Sequence, residues 1–389
     1  MARYKQRNAG LAFAANREDR VSDHAMLKEI FAQPDALRRT LELYTARGVL
    51  NAEMADRLGR WSIPEGEVLI AASGSSRHSG LAGEILLEDL CGLAVDVEYS
   101  SEYSIRGGRE LRHPSCLVIS QSGETSDTLA AMRAARARGQ KTLAITNDPH
   151  STMAREADVS MPLGAGRELA IPATMSFTCQ LAVLYVLALF EGQRRELITP
   201  EELSFHIAGL WAQCDRIELQ LEQWREQAAE LAERYSSAAS FLYLGRGIHY
   251  AIAREGALKL KEASYVPAEG YPAGELKHGP NALVSEQVPL VVIATVDRQL
   301  AASVERYDRT LQLLDDMKAQ GARVIALANR SDRNVAALAA DCVQIDPASE
   351  YLLPISEVVP LQLFAYFMAL ERGVDVDRPR NLSKAVIEK

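Results

Sequence analysis

Cysteine is scarce in this 389-residue chain: Cys91, Cys116, Cys179, Cys214 and Cys342 are odd in number, widely spaced and never arranged as C-x-x-C. A disulfide framework and a zinc knuckle are therefore excluded, and the five read as reduced, mostly packed thiols. Glycine and proline stay near average at 24 and 15 residues, which removes collagen-like repeats and wholesale disorder. Positive charge is not in excess. The formal net charge of −9 weakens nonspecific attraction to phosphate backbones and anionic lipid, so neither nucleic acid nor membrane is an expected partner. The longest apolar run, LAVLYVLALF over 181–190, falls far short of the roughly 20 residues of a membrane span and reads as a buried helix. The N-terminal MARYKQRNAGLAFAANREDR is basic, but its apolar stretch GLAFAA is only about half a secretory core and acids follow at once, so a cytoplasmic location is expected.

What is present is an ordinary globular composition, 48% hydrophobic and 24% charged, in a chain long enough for two compact units. A degenerate internal repeat sets the architecture. VLIAASGSS at 68–76 matches FLYLGRGIH at 241–249, with Gly74 and Gly247 173 positions apart; CLVIS at 116–120 matches LVVIA at 290–294, and TLAIT at 142–146 matches VIALA at 324–328. In each copy β-branched runs alternate with helices such as TLAAMRAARARG and RTLQLLDDMKAQG, the pattern of parallel strands with crossover helices. The expected fold is α/β, two tandem doubly wound parallel-sheet units joined by a helical linker. The expected divisions are a loose 1–23, helices over 24–60 broken near Pro34, a first unit over 61–190, a linker over 191–237, a second unit over 238–372 and a tail over 373–389. Thr199-Pro200-Glu201-Glu202 has the spacing of a capping box at the start of the linker helix.

Two turns could hold a phosphate. SQSGETSDTL follows a strand and opens a helix, so free backbone N–H groups and the positive helix end would meet an anion, with Ser120, Ser122 and Thr125 adding hydroxyls. Read alone, this segment is equally a plain N-capped helix start. SGSSRHSG, from Ser73, ends another strand and brings Ser75 and Ser76 to the same sheet edge, where open α/β sheets bind ligands. Neither turn fits G-x-x-x-x-G-K-[ST] or G-x-G-x-x-G, which discounts ATP and NAD and leaves a small phosphorylated metabolite. No cofactor is expected.

The second unit concentrates polar residues in EGALKLKEASYVPAEGYPAGELKHGP, 255–280. Lys259 and Glu262 share a helix face and Glu255 lies one turn before Lys259; such charges usually form a solvated surface pair. His278 follows in a loop rich in Pro and Gly. Interconverting an aldose and a ketose phosphate needs a ring-opening acid or base and a carboxylate over C1 and C2, for which His278 and Glu262 are the right types. No His and acid cluster has metal-ligand spacing, so a metal-free enediol route is expected.

SGSSRHSGLAGE, VISQSGETSDTL, the 255–280 segment and the tail PLQLFAYFMALERGVDVDRPRNLSKAVIEK together closely resemble the isomerase portion of glutamine:fructose-6-phosphate amidotransferase, the glucosamine-6-phosphate synthase family, from about His24 to the C-terminus. The resemblance implies tandem sugar isomerase (SIS) domains of flavodoxin-like type. It nominates Ser76, Ser120, Gln121, Ser122 and Thr125 as sugar-phosphate contacts, with Ser75 where the family usually has Thr. It makes Glu262 the enolising carboxylate, Lys259 its neighbour, His278 the ring opener contributed by the partner of a homodimer, and Lys384 the tail lysine that closes over the sugar. Two departures stand out. Met1 is followed by Ala2, and the first cysteine is Cys91, so the family's glutaminase with its cysteine after the initiator Met is expected to be lacking. In IPATMSF, Ala173 replaces a sugar-contacting serine and Met175 a lysine.

The expected activity is that of an amino-sugar phosphate isomerase and deaminase, glucosamine 6-phosphate plus water giving fructose 6-phosphate and ammonia. Alternatives within the enzyme class are the synthetic direction, with ammonia or a separate glutaminase subunit, and an isomerase or deglycase on a galactosamine, tagatose or fructosamine phosphate. A non-catalytic sugar-phosphate sensor is the alternative outside it, although no helix-turn-helix signal precedes residue 24.

Overall fold

The computed structural model describes residues 24–46, 48–61, 66–106 and 114–384; the segment expected to be loose, 1–23, lies outside them, as do the last five residues of the tail. The chain opens with α1 (Ala25–Phe31) and α2 (Gln33–Tyr44), separated at Ala32. Pro34 sits in the first turn of α2, where a missing N–H leaves no intrahelical bond unmade. A short hairpin, β1 (Thr45–Ala46) and β2 (Val49–Leu50), and α3 (Ala52–Gly59) lead to the first sheet.

That sheet alternates strictly: β3 (Glu67–Ala72), α4 (Gly74–Cys91), β4 (Ala94–Tyr99), α5 (Ser100–Ile105), β5 (Ser115–Ser120), α6 (Ser126–Ala137), β6 (Lys141–Thr146), α7 (Thr152–Glu156) and β7 (Val159–Pro162). It is followed by α8 (Met175–Arg194) and the 36-residue α9 (Pro200–Tyr235). The second sheet comprises β8 (Phe241–Gly245), α10 (His249–Ser264), β9 (Ala268–Pro272), two 3-10 turns (Ala273–His278 and Pro280–Leu283), β10 (Leu290–Ala294), α11 (Ala301–Ala319), β11 (Val324–Asn329), α12 (Arg333–Leu338) and β12 (Asp341–Ile345). The last helix is α13 (Leu353–Glu371).

Spatial strand order is β4-β3-β5-β6-β7 in one sheet and β9-β8-β10-β11-β12 in the other, every neighbouring pair parallel. Both are the second-first-third-fourth-fifth order of a flavodoxin-like sheet, so the fold is α/β with two tandem doubly wound units. The repeat extends to backbone detail: Gly74 and Gly247, at matching turns, have φ of +55° and +54°. Thr199 and Glu202 cap α9 reciprocally, as their spacing predicts.

Strand residues alternate between two buried faces, which is why these runs are apolar throughout. In β8, Phe241 and Tyr243 face a core shared with the first unit, while Leu242 and Leu244 face a separate cluster behind the second sheet. β3 divides likewise, with Val68, Ile70 and Ala72 in the shared core and Leu69 and Ala71 in a cluster on the far face. The shared core is filled by α4, α8, α10 and α13. The helices α8 and α13 are long and apolar enough to cross a membrane, but their most apolar windows are 100% and 89% buried inside the protein.

In the second unit the turn after β8 is closed from within. His249 Nδ1 lies 2.9 Å from a Glu357 oxygen of α13, and its Nε2 lies 3.3 Å from Glu350, which Arg306 grips at 2.6 Å. Burial opposes a charged imidazole, but Glu357 and Glu350 outweigh it and push the His249 pKa from its ordinary 6.5 up to about 10. Burial likewise opposes the Glu350 carboxylate, and His249, Ser303 and Arg306 bring that pKa down to about 2. A raised histidine stabilises the fold fully below its unfolded value and loses that contribution as pH rises through the folded one; a depressed carboxylate does the reverse. The stability difference between wild type and His249→Gln, followed by urea unfolding, is therefore expected to be largest between about pH 4.5 and 6.5 and to shrink toward pH 10 and toward pH 2. A difference that grows from pH 7 to pH 9 contradicts this network.

Candidate active site

β3 and β5 are neighbours from which the chain departs to opposite sides of the first sheet, so a crevice forms beyond their carboxyl ends. A cleft of about 260 Å³ lies there, lined by both serine-rich turns, by Ile171 and Ala173 before α8, by Lys259 and Glu262 of α10, and by Leu382, Ser383 and Lys384 of the tail. Every residue nominated for the phosphate, namely Ser75, Ser76, Ser120, Gln121, Ser122 and Thr125, borders this one space. His278 does not. It is exposed at the end of the first 3-10 turn, away from the cleft of its own chain.

The turns are built to leave donors free. Thr125 is the N-cap of α6 and Ser73 that of α4, yet neither side chain caps its helix. The first N–H groups of both helices, which have no partner within the helix, are therefore not quenched by these side chains. Thr125 Oγ1 instead meets Ser120 Oγ at 2.9 Å, and Gly123 N donates to Ser120 Oγ at 3.2 Å. The reading of this segment as a simple capped helix does not describe it: the Thr125 hydroxyl is not spent on a cap. Gly123 turns the chain at φ +66°, and a Cβ there would stand 2.2 Å from Ser151 Oγ, so the turn requires glycine. Ser76 Oγ accepts from Gln180 Nε2 at 3.0 Å, which fixes it at the cleft wall.

On α10 the charges are not a solvated surface pair. Lys259 is 1% exposed, with its ammonium 2.5 Å from Glu262 Oε2 and 3.4 Å from Glu255 Oε1. Burial would push the ammonium pKa down; Glu255 and Glu262 more than reverse this and raise it, so Lys259 stays charged. Glu262 keeps a partly open carboxylate on the cleft. Lys384 donates to Glu168 Oε2 at 2.7 Å and to the Ala170 carbonyl. Burial opposes the Glu168 carboxylate, but Lys384, the Thr174 N–H and Ser176 hold its pKa below the ordinary value.

Two contributors escape the sequence. Glu168 sits in an irregular segment with no periodicity, and only its partnership with the distant Lys384 marks it. Thr128, one turn into α6, lines the cleft with a buried hydroxyl that has no hydrogen-bond partner. It stands near the end of the SQSGETSDTL run, where hydroxyls at successive turns are the available signal. Among the described residues no group of three or more His, Cys, Asp or Glu side chains is placed to hold a metal ion.

The SIS domain family model matches residues 63–190 and 234–372. The chain is 40% identical over 372 residues to a glutamine–fructose-6-phosphate aminotransferase (isomerizing) of Chlorobaculum tepidum, covering 94% of this chain and 58% of the relative. A protein of the same name from Gloeobacter violaceus is 39% identical, with 95% and 59% covered. The chain thus spans about three-fifths of the length of these curated relatives. Its structure matches the C-terminal domain of glucosamine-fructose-6-phosphate aminotransferase from Francisella tularensis with a TM-score of 0.84 and 30% identity, over 92% of this chain and 98% of that one. A glucosamine-6-phosphate deaminase from Thermotoga maritima shares the fold, with a TM-score of 0.68 at 23% identity over 94% of this chain and all of that one. With a family match over more than half of its residues and a 30% identical relative covered almost end to end, the chain belongs to the SIS domain family and carries two of its domains in tandem.

Proposed function

We propose that the cleft interconverts glucosamine 6-phosphate and water with fructose 6-phosphate and ammonia. One observation carries this reading: a donor-rich anion cradle, a carboxylate paired to a buried ammonium and a tail lysine share a single cleft sized for a small sugar phosphate. The phosphate sits against the N-termini of α4 and α6 and the hydroxyls of Ser75, Ser76, Ser120, Ser122 and Thr125, with Gln121 beside it. This anchors C1 and C2 toward α10. In the deaminating direction Glu262 takes the proton from C2 of the open-chain aldehyde and returns it to C1 while a proton passes from the amino group to O1, leaving an alcohol at C1 and an imine at C2. Water adds to that imine and ammonia departs, giving the ketose. Lys259 holds the Glu262 carboxylate in place, and Lys384 meets the C2 carbonyl or imine once it releases Glu168.

His278, exposed on its own chain, serves in this reading as the ring opener for a second copy. Ala173 puts a methyl on the cleft wall, which supports a second reading, a different hexose epimer. A panel of 2-amino-2-deoxyhexose 6-phosphates, assayed for both ammonia and ketose phosphate, separates the two. Turnover of glucosamine 6-phosphate that falls by about two to four orders of magnitude in Glu262→Gln is the expected result. Turnover of another epimer alone moves the substrate assignment to it, and none with any member of the panel overturns the proposal.

Sharing of the site between two copies has its own test. Glu262→Gln and His278→Ala are each expected to be inactive. Random pairing of the two makes half of the dimers mixed, each with one intact site, so an equal mixture should regain about a quarter of the wild-type rate. No recovery, or an active His278→Ala, contradicts the shared site.

A further inference from the structure

We infer that His78, on α4 of the first unit, is a positioning residue for proton transfer on the second unit, acting through Glu255 and Lys259 on Glu262; this rests on the reading above. His78 lies two residues beyond Ser76, at the end of the phosphate turn, and is nearly buried. Its Nδ1 stands 2.8 Å from Glu255 Oε2, across the boundary between the units. Glu255 is fully buried, and its other oxygen faces Lys259 at 3.4 Å, whereas Glu262 lies 2.5 Å from the same ammonium. A carboxylate only accepts, so Nδ1 of His78 carries the proton of this contact.

The asymmetry of the two contacts to Lys259 is what His78 explains. Two carboxylates compete for one buried ammonium, and the more buried of them would ordinarily hold it more tightly, since its charge has no water to turn to. Here the buried one is the more distant. His78 takes one oxygen of Glu255, and Ser75 of the phosphate turn stands beside the same carboxyl. Glu255 is thereby held from the first unit through Oε2, its Oε1 makes no hydrogen bond, and Lys259 leans toward Glu262. The turn that grips the phosphate and the carboxylate that moves the proton are joined by one line of buried polar contacts.

Loss of that link should move the chemical step and spare binding, because neither His78 nor Glu255 lines the cleft. The experiment measures KM, kcat and the exchange of the C2 proton with solvent deuterium for the sugar phosphate turned over by wild type, in His78→Leu and His78→Asn. Asn places an amide donor where Nδ1 stands, which guards against a variant that simply fails to fold. His78→Leu is expected to lower kcat and proton exchange by about ten- to a hundredfold with KM within about twofold. His78→Asn should recover most of the loss. Equal kcat in His78→Leu and wild type, a loss confined to KM, or an Asn variant no better than Leu each overturns the assignment of His78 alone. A wild-type protein that exchanges no carbon-bound proton with any hexose 6-phosphate overturns the functional reading, and the role of His78 with it.

Discussion

An ammonium buried to 1% exposure between two carboxylates is the constraint around which this molecule is arranged. Lys259 could not remain charged there without Glu255 and Glu262, and removing one partner of such a buried pair typically costs about 3–5 kcal/mol. Both carboxylates lie on α10 with the lysine, at i−4 and i+3, so the cluster is local in sequence. Its burial is not local, because α4 and α13 both pack against α10. The helix therefore cannot present Glu262 to a ligand unless the two units are already docked. Docking in turn is driven by the apolar core common to both sheets, in which Phe241 and Tyr243 of one unit and Ile70 and Val68 of the other belong to a single cluster.

Duplication gave two sheets of one strand order, and the side chains at matching positions after their first strands differ in what they leave open. Ser76 and His249 occupy equivalent places after β3 and β8. Each is answered from the long apolar helix that follows its sheet, Ser76 by Gln180 of α8 and His249 by Glu357 of α13. A serine with an amide leaves room and neutral donors for an anion. A charged imidazole clasped by two carboxylates, one of them held by Arg306, fills the same position with a completed ion network. The second unit contributes the charged face of its first helix to the neighbouring cleft.

Much of this architecture is legible in the residues. Three strand pairs, the glycine turns and the capping box of α9 follow from short-range patterns that tertiary structure does not override. β9 is different: AEGYP has no β-branched residue and contains both glycine and proline, so nothing local marks a strand. It pairs with β8 at the sheet edge, and Gly270 is needed there because a Cβ would approach Arg254 Cα to 2.6 Å. The burial of Lys259 was illegible for a related reason. Spacing places charges on a helix face but does not say what covers that face, and α4, which does, lies some 180 positions away in sequence. His278 marks the limit of the same logic, since its own chain leaves it exposed.

The tail is tied to the body of the protein at the edge of the cleft. Lys384 is joined to the body of the protein by Glu168 and the Ala170 carbonyl, the former itself fixed by the Thr174 and Ser176 N–H groups at the start of α8. Glu168 remains ionised because those donors and the lysine together outweigh its burial, so the contact is a charged one in a largely dry setting. Three bonds from Thr174 and Ser176 reach Glu168 besides the lysine's, so the carboxylate keeps donors of its own without Lys384. In the proposed reaction the same carboxylate would thus fix the tail before the lysine turns to the sugar and stay satisfied afterwards, so that closure and chemistry would draw on one side chain.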